Sequence, residues 1–211
     1  MFFDVGETLV DETRMWAGWA DYMGVPRAAF IAALRSVIER GQHHRQVFDV
    51  LRPGFGFEAA MRERVAGGTL YRVAADDFYP DALPCLTTLR DRGYFVGIAG
   101  NQPQAIEREL AALDVPADVI ASSAGWGVEK PAPSFFARII EAAAPAAAPS
   151  EIAYVGDHLD NDVLPAISAG LVGIFLQRGL WGAIHSHRPE AARAHVRLES
   201  LAELLDALTS V

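Results

Sequence analysis

From Pro80 onward, short apolar runs alternate with stretches of helical periodicity, and few folds accept that grammar. Tyr94 to Ala99, Asp118 to Ala121, Ile152 to Val155 and Val172 to Leu176 each read as a buried strand. A helix carrying Ala82, Cys85, Leu86 and Leu89 precedes them, and residues 103–113, Pro133 to Ala144 and about 161–169 are helical between them. A Pro/Ala-rich connection leads into Ile152, Val196 is expected in a last short strand, and Leu201 to Leu208 in a closing helix. Near-continuous apolar strands separated by helices have both faces covered, so the pattern predicts an α/β fold with a doubly wound, Rossmann-like parallel sheet. One more strand opens the chain: Phe2 and Phe3 run into Asp4, and a glycine turn at Gly6 leads to Thr8, Leu9 and Val10. Only three residues precede Asp4, whereas strands usually run about 5–6. Either this strand is short or the sequence starts a few residues inside its natural beginning.

Between the first strand and the repeating portion the chain has another character. Met15, Trp16, Trp19, Ala20 and Met23 recur at helical spacing up to Gly24, and Phe30, Ile31, Leu34, Val37 and Ile38 make a second amphipathic run ending at Gly41. A third carries Met61 and Val65 before Gly67-Gly68, and no strand is legible through about residue 79. Residues 14–79 are therefore expected to form a small helical domain inserted into a catalytic core of residues 1–13 and 80–211, hinged near Glu12–Thr13 and Phe78–Pro80 and lying over the strand ends. Trp16 and Trp19 belong in the core of that domain, and the pair His43–His44 on its surface.

The 211 residues carry a formal net charge of −9, which argues against a nucleic-acid or anionic-membrane surface but not against one small anionic substrate. Cys85 is the only cysteine, so neither an intrachain disulfide nor a multi-cysteine zinc site can form. No apolar run approaches ~18 residues and the first residues lack a secretory pattern, so a cytoplasmic protein is expected.

Polar residues gather at the ends of the expected strands, where open α/β sheets bind ligands. They are Asp4, Asn101, Lys130 in Gly127-Val128-Glu129-Lys130-Pro131, and the run Gly156-Asp157-His158-Leu159-Asp160-Asn161-Asp162. Carboxylates brought to one sheet edge repel one another, and a hard cation such as Mg²⁺ relieves the repulsion through oxygen ligands. A turn role for Asp157 and a helix N-cap at Asp160 or Asn161 is the plainer alternative. It accounts for one acid, not for three.

These four stretches, in this order and with an insertion after the first, resemble the haloacid dehalogenase superfamily, whose members are mostly Mg²⁺-dependent phosphohydrolases. The resemblance covers nearly the whole chain and implies a small phosphorylated substrate and a helical cap for the insertion. It makes Asp4 the nucleophile that forms an aspartyl-phosphate, a role suited to a carboxylate that is ionised at pH 7 without a base. Lys130 corresponds to the lysine that steadies nucleophile and phosphate, and Gly100 and Asn101 to the substrate-binding motif. Asp4, the carbonyl of Gly6, Asp157 and Asp162 correspond to the residues that hold the metal.

Two positions depart from the family. Gly6 stands where the phosphatases carry the aspartate that protonates the leaving oxygen, and general acid–base help is typically worth about 10²–10⁴-fold. Gly100 replaces a serine or threonine that grips phosphate. Glu7, one residue beyond the missing acid, is the candidate catalytic replacement if the turn swings it inward. The resemblance thus leaves a weak phosphohydrolase, a 2-haloacid dehalogenase and a catalytically impaired binding or regulatory protein as competing functions. Retention of the Gly-Asp…Asn-Asp run speaks against the second of these.

Overall fold

The computed structural model describes residues 1–144 and 147–208. They divide into two compact units, Met1–Asp11 with Val73–Val211, and Glu12–Arg72.

The Glu12–Arg72 unit is helical throughout its regular structure: α1 (Thr13–Met23), α2 (Arg27–Glu39), α3 (Gln46–Leu51) and α4 (Phe57–Ala66). The i, i+3, i+4, i+7 spacing of Trp16, Trp19, Ala20 and Met23 puts all four on the buried face of α1. Gly24 ends that helix at φ 66°, where its N–H reaches the carbonyls of Ala20 and Asp21. Phe30, Leu34, Val37 and Ile38 form the buried face of α2. An aromatic cluster closes the unit: the Trp19 ring lies 4.8 Å from Phe48 and 5.3 Å from Phe57, and the Arg64 guanidinium stacks over Trp19 at 4.3 Å. His43 is exposed and stacks on His44.

The other unit is built on six parallel strands: β1 (Phe2–Phe3), β2 (Gly97–Gly100), β3 (Val119–Ser122), β4 (Ala153–Gly156), β5 (Val172–Leu176) and β6 (Val196–Leu198). Their order is β3-β2-β1-β4-β5-β6. The chain winds outward from β1 in both directions, so strand order reverses between β1 and β4, the place where such sheets open a crevice for ligands. Around the sheet lie α5 (Ala82–Asp91), α6 (Ala105–Ala112), α7 (Ser123–Trp126), α8 (Pro133–Ala142), α9 (Leu164–Ser168), α10 (Gly179–His185) and α11 (Leu201–Ala207).

A two-residue strand holds the centre because each of its side chains anchors a different face. Phe2 packs with Phe135, Phe136 and Tyr154, and Phe3 with Leu86, Ile98 and Val155; both phenylalanines are fully buried. Each such burial is worth roughly 1.5–3 kcal/mol. Gly97 makes room for the first of them, since a β-carbon there would stand 2.3 Å from the Phe2 ring.

The doubly wound parallel sheet agrees with the sequence, and local boundaries move for identifiable reasons. The strand expected from Tyr94 begins at Gly97, because Tyr94 is 38% exposed just after the left-handed turn at Gly93. The helix expected over 161–169 is a π-helical turn, Leu159–Val163, followed by α9. Pro165 has no N–H to continue the ladder, so the winding restarts there. Pro145 and Ala146 of the Pro/Ala connection lie outside the described residues. Among the described residues no helix is long and apolar enough to cross a membrane.

Candidate active site

Asp4 leaves β1 with its N–H on the carbonyl of Val155 at 2.9 Å, which fixes it beside the end of β4. The next residues close on themselves: the Val5 carbonyl accepts from the N–H groups of Leu9 and Val10, and the Glu7 N–H donates to Val10 at 2.7 Å. The β4 strand runs through Gly156 into Asp157, and the π-helical turn then brings Asp162 back to the strand end. Lys130, from the loop between α7 and α8, reaches in between. Its Nζ lies 2.7 Å from Asp4 Oδ1 and 2.6 Å from Asp162 Oδ1. The His158 N–H donates to the second oxygen of Asp162 at 2.9 Å. Lys130 is the only lysine in the sequence, and it is 4% exposed.

Asn101 sets the position of that lysine. Its Oδ1 accepts from the Lys130 N–H at 2.7 Å while its Nδ2 donates to the Lys130 carbonyl at 2.9 Å. The amide is thus spent on main chain. Gly100, just before it, is the seat of the Asp4 carboxylate: a β-carbon built there would stand 2.3 Å from Asp4 Oδ1. Gly156 does the same for Asp162, whose Oδ2 would be 2.3 Å from an added β-carbon.

The electrostatics follow from packing acids together. Burial pushes the Asp4 carboxyl above its ordinary pKa, and the charge of Asp162 adds to the rise, while Lys130 opposes it. Asp157, 3% exposed, is raised well above the ordinary value by burial and by the charges of Asp162, Asp4 and Glu7. Burial alone would lower the Lys130 ammonium, yet Asp162 and Asp4 outweigh it and hold the group well above its usual range. Asp4, Asp157 and Asp162 each offer an oxygen, all within 4.8 Å of one another. Three carboxylates around one ammonium leave two formal negative charges. A divalent cation with oxygen preference matches that donor set in charge and in kind, so the residues present fit Mg²⁺.

Glu7 is turned inward. It takes a positive φ of 53°, is 6% exposed, and receives the Tyr79 hydroxyl on Oε2 at 2.6 Å. Tyr79 lies under the Arg178 guanidinium at 4.2 Å, and Arg178 pairs with Asp81 and donates to the Thr8 carbonyl at 3.2 Å. Gly6 sits in the same turn without a positive φ. Neither Tyr79 nor Arg178 was identifiable from the sequence, because their parts depend on the β5 end folding against the motif turn.

A second trio, His158, Asp160 and His185, also brings donor atoms within 4.8 Å of one another, and part of its donor set is used within the protein. His158 Nδ1 accepts from the N–H groups of Asp160 and Asn161, His185 Nδ1 accepts from Leu159, and Asp160 binds Arg188 at 2.5 and 3.0 Å. The accepting Nδ1 atoms put the ring protons on Nε2.

The parallel sheet with a lysine-bridged carboxylate cluster at its switch point belongs to a hydrolase. The chain belongs to the haloacid dehalogenase-like hydrolases, whose family model matches residues 1–170. It is 34% identical over 152 residues to the glyceraldehyde 3-phosphate phosphatase of Methanopyrus kandleri, a match covering 68% of this chain and 63% of that protein's length. Among solved structures it superimposes on a predicted phosphoglycolate phosphatase from Haemophilus somnus 129pt with a TM-score of 0.73 at 18% identity, over 98% of this chain and 96% of that one. The HAD-hydrolase YfnB from Bacillus subtilis, bound to magnesium, gives a TM-score of 0.70 at 17% identity with the same coverage. These likenesses establish the fold.

Proposed function

We propose that this protein is a Mg²⁺-dependent phosphatase acting on a small phosphorylated metabolite through an aspartyl-phosphate on Asp4. The observation that carries the reading is the Lys130 ammonium held between Asp4 and Asp162 at the sheet's switch point. In this reading an oxygen of the Asp4 carboxylate attacks phosphorus, the bond to the leaving oxygen breaks, and that oxygen takes its proton from water. Water then attacks the aspartyl-phosphate, releasing inorganic phosphate and the free carboxylate. Lys130 keeps Asp4 oriented and offsets charge on the phosphoryl oxygens. Asp4, Asp157, Asp162 and the carbonyl of Gly6 would hold Mg²⁺, which supplies charge neutralisation for the transferring group. Gly100 and Asn101 border the substrate, Asn101 acting mainly by fixing Lys130. Glu12–Arg72 corresponds to the cap of the family. The archaeal relative makes glyceraldehyde 3-phosphate the first substrate to assay.

Gly6 leaves the leaving group without the usual acid, so alkyl phosphates should turn over slowly and activated aryl phosphates less so. Gly6→Asp should raise the alkyl-to-aryl rate ratio, since Gly6 does not use the left-handed backbone that a side chain would resist. Asp4→Asn should abolish turnover of both esters in either background. Persistence of activity in folded Asp4→Asn protein would end the aspartyl-phosphate reading, and a ratio unmoved by Gly6→Asp would mean the proton comes from elsewhere.

A further inference from the structure

Tyr154 is, among the described residues, the largest side chain with no exposed surface, and it stands in the strand that leads to Asp157. It pairs in register with Phe2 of β1, so its side chain leaves the same face of the sheet, into the cluster of Ala99, Phe135 and Phe136. A phenol buried there needs a partner for its hydroxyl. The partner lies two strands away: the hydroxyl donates to the Ala99 carbonyl of β2 at 2.7 Å, across β1, which runs between β2 and β4. The register of β1 with β2 ends at Phe3 and Ile98, so Ala99 is the first residue of β2 past it. Gly100, the seat of the Asp4 carboxylate, is the next. The ring of the same tyrosine lies under the Lys130 ammonium, with Nζ 5.4 Å from its centroid. Asp4 and Asp162 take two of the three N–H donors of that ammonium, and the electron-rich ring face stands within attractive range of the cation.

We propose that Tyr154 is a positioning residue of the site, its ring holding the Lys130 ammonium and its hydroxyl holding the end of β2 to β4. The inference rests on the reading of Asp4 as nucleophile given under the proposed function. One side chain then fixes two things at once: the height of the ammonium over the sheet, and the place of the Gly100 seat on which Asp4 rests. Packing alone would be served by phenylalanine, so the hydroxyl is accounted for by its bond to Ala99. Neither part requires Tyr154 to touch substrate.

The test compares variants of the full chain, each checked for a cooperative melt. Lys130 is the only lysine, so its acetylation by a succinimidyl ester is read by mass spectrometry on one peptide. Tyr154→Leu removes the ring and should speed that acetylation at least about tenfold. It should also lower kcat for an aryl phosphate by roughly ten- to a hundredfold with KM nearly unchanged, the pattern of lost alignment in the transition state. Tyr154→Phe keeps the ring and cuts the tie, so Lys130 should stay protected while kcat falls by a smaller factor. Phe136→Leu truncates an equally buried neighbour, its ring 5.5 Å from that of Tyr154, and should leave acetylation and kcat at the parent's values. Acetylation at the parent's rate in folded Tyr154→Leu protein overturns the proposal. So does a Phe136→Leu variant that exposes Lys130 as much, which would reduce Tyr154 to core filling. An unchanged kcat in Tyr154→Phe overturns the part given to the hydroxyl. Should Tyr154→Leu fail to fold, Tyr154→Met, longer and flexible enough to fill the gap, takes its place with the same expectations. A parent chain that hydrolyses no phosphate ester ends the proposed function, and the acetylation rates then decide by themselves whether Tyr154 holds the ammonium.

Discussion

Thr8 is completely buried in the turn after Asp4, and its hydroxyl has no hydrogen-bond partner among the described residues. An unsatisfied buried polar group costs about 1–3 kcal/mol, while an apolar group of the same shape costs nothing comparable. Thr8→Val should therefore stabilise the protein by about 1 kcal/mol, read as a higher urea midpoint at unchanged slope. Gly100 supports a second prediction, and here the family pattern and the geometry disagree. By resemblance, Gly100→Ser would restore a grip on phosphate. By geometry, the new β-carbon would displace the Asp4 carboxylate it meets at 2.3 Å, and a misplacement of about 1 Å can cost roughly a hundredfold in rate. We expect kcat of Gly100→Ser to fall; a rise would mean that Asp4 turns aside without penalty. The sequence offered Asp4, Asn101, Lys130, Asp157 and Asp162 as site residues from their places after expected strands together with the order of motifs they share with the family. It could not offer the clamp of Asn101 on the Lys130 main chain, which joins segments far apart in sequence.

At the scale of elements, the least legible region is the one that follows β5. Gly179 and Gly182 dilute any helical pattern, yet α10 forms there and packs so closely that a β-carbon at Gly182 would meet the Leu176 carbonyl at 2.8 Å. Close approach, not propensity, explains the glycine. The same helix brings His185 against His158, ring centroids 4.6 Å apart. Burial lowers the pKa of each imidazole to about 4, and the approach of the other ring and of Arg188 adds to the fall for His185. With folded values below the ordinary 6.5, the unfolded chain takes up these protons first. Their contribution to stability is therefore complete above pH ~6.5 and is lost as pH falls toward about 4. The raised carboxyls of Asp4 and Asp157 act in the opposite sense, so the comparison that isolates the imidazoles is wild type against His185→Asn, whose Oδ1 can still accept from the Leu159 N–H. Denaturant melts at pH 7 and pH 5 should show the wild type losing more stability than the variant. Equal losses would place the proton uptake elsewhere.

Across the molecule, the chain leaves the α/β unit and re-enters it through one short antiparallel stem. Tyr79 N–H bonds the Leu9 carbonyl at 3.0 Å, Asp11 N–H bonds Asp77 at 2.8 Å, and Val10 bridges Phe78. Val5, Leu9 and Val10 of the outgoing segment share one hydrophobic cluster with Phe78 and Tyr79 of the returning one. Replacing Glu12–Arg72 by a short Gly/Ser linker across that stem should leave a cooperatively folding α/β unit, checked by circular dichroism and a single thermal transition. Failure to fold would mean that the inserted residues complete its core. The alternation of strands and helices made the sheet legible in advance, whereas the strand order was not, because period and spacing do not say which side of β1 each crossover takes. Residues 12–72 also carry nine arginines against six acids, in a chain whose formal net charge is −9. Every other permanently cationic side chain in this protein is an arginine guanidinium, which leaves the Lys130 ammonium chemically alone. An isotopic label introduced only through lysine would therefore yield one ε-nitrogen resonance, and that single signal would report directly on the protonation, solvent exchange and ligand response of the site, with no assignment problem to solve.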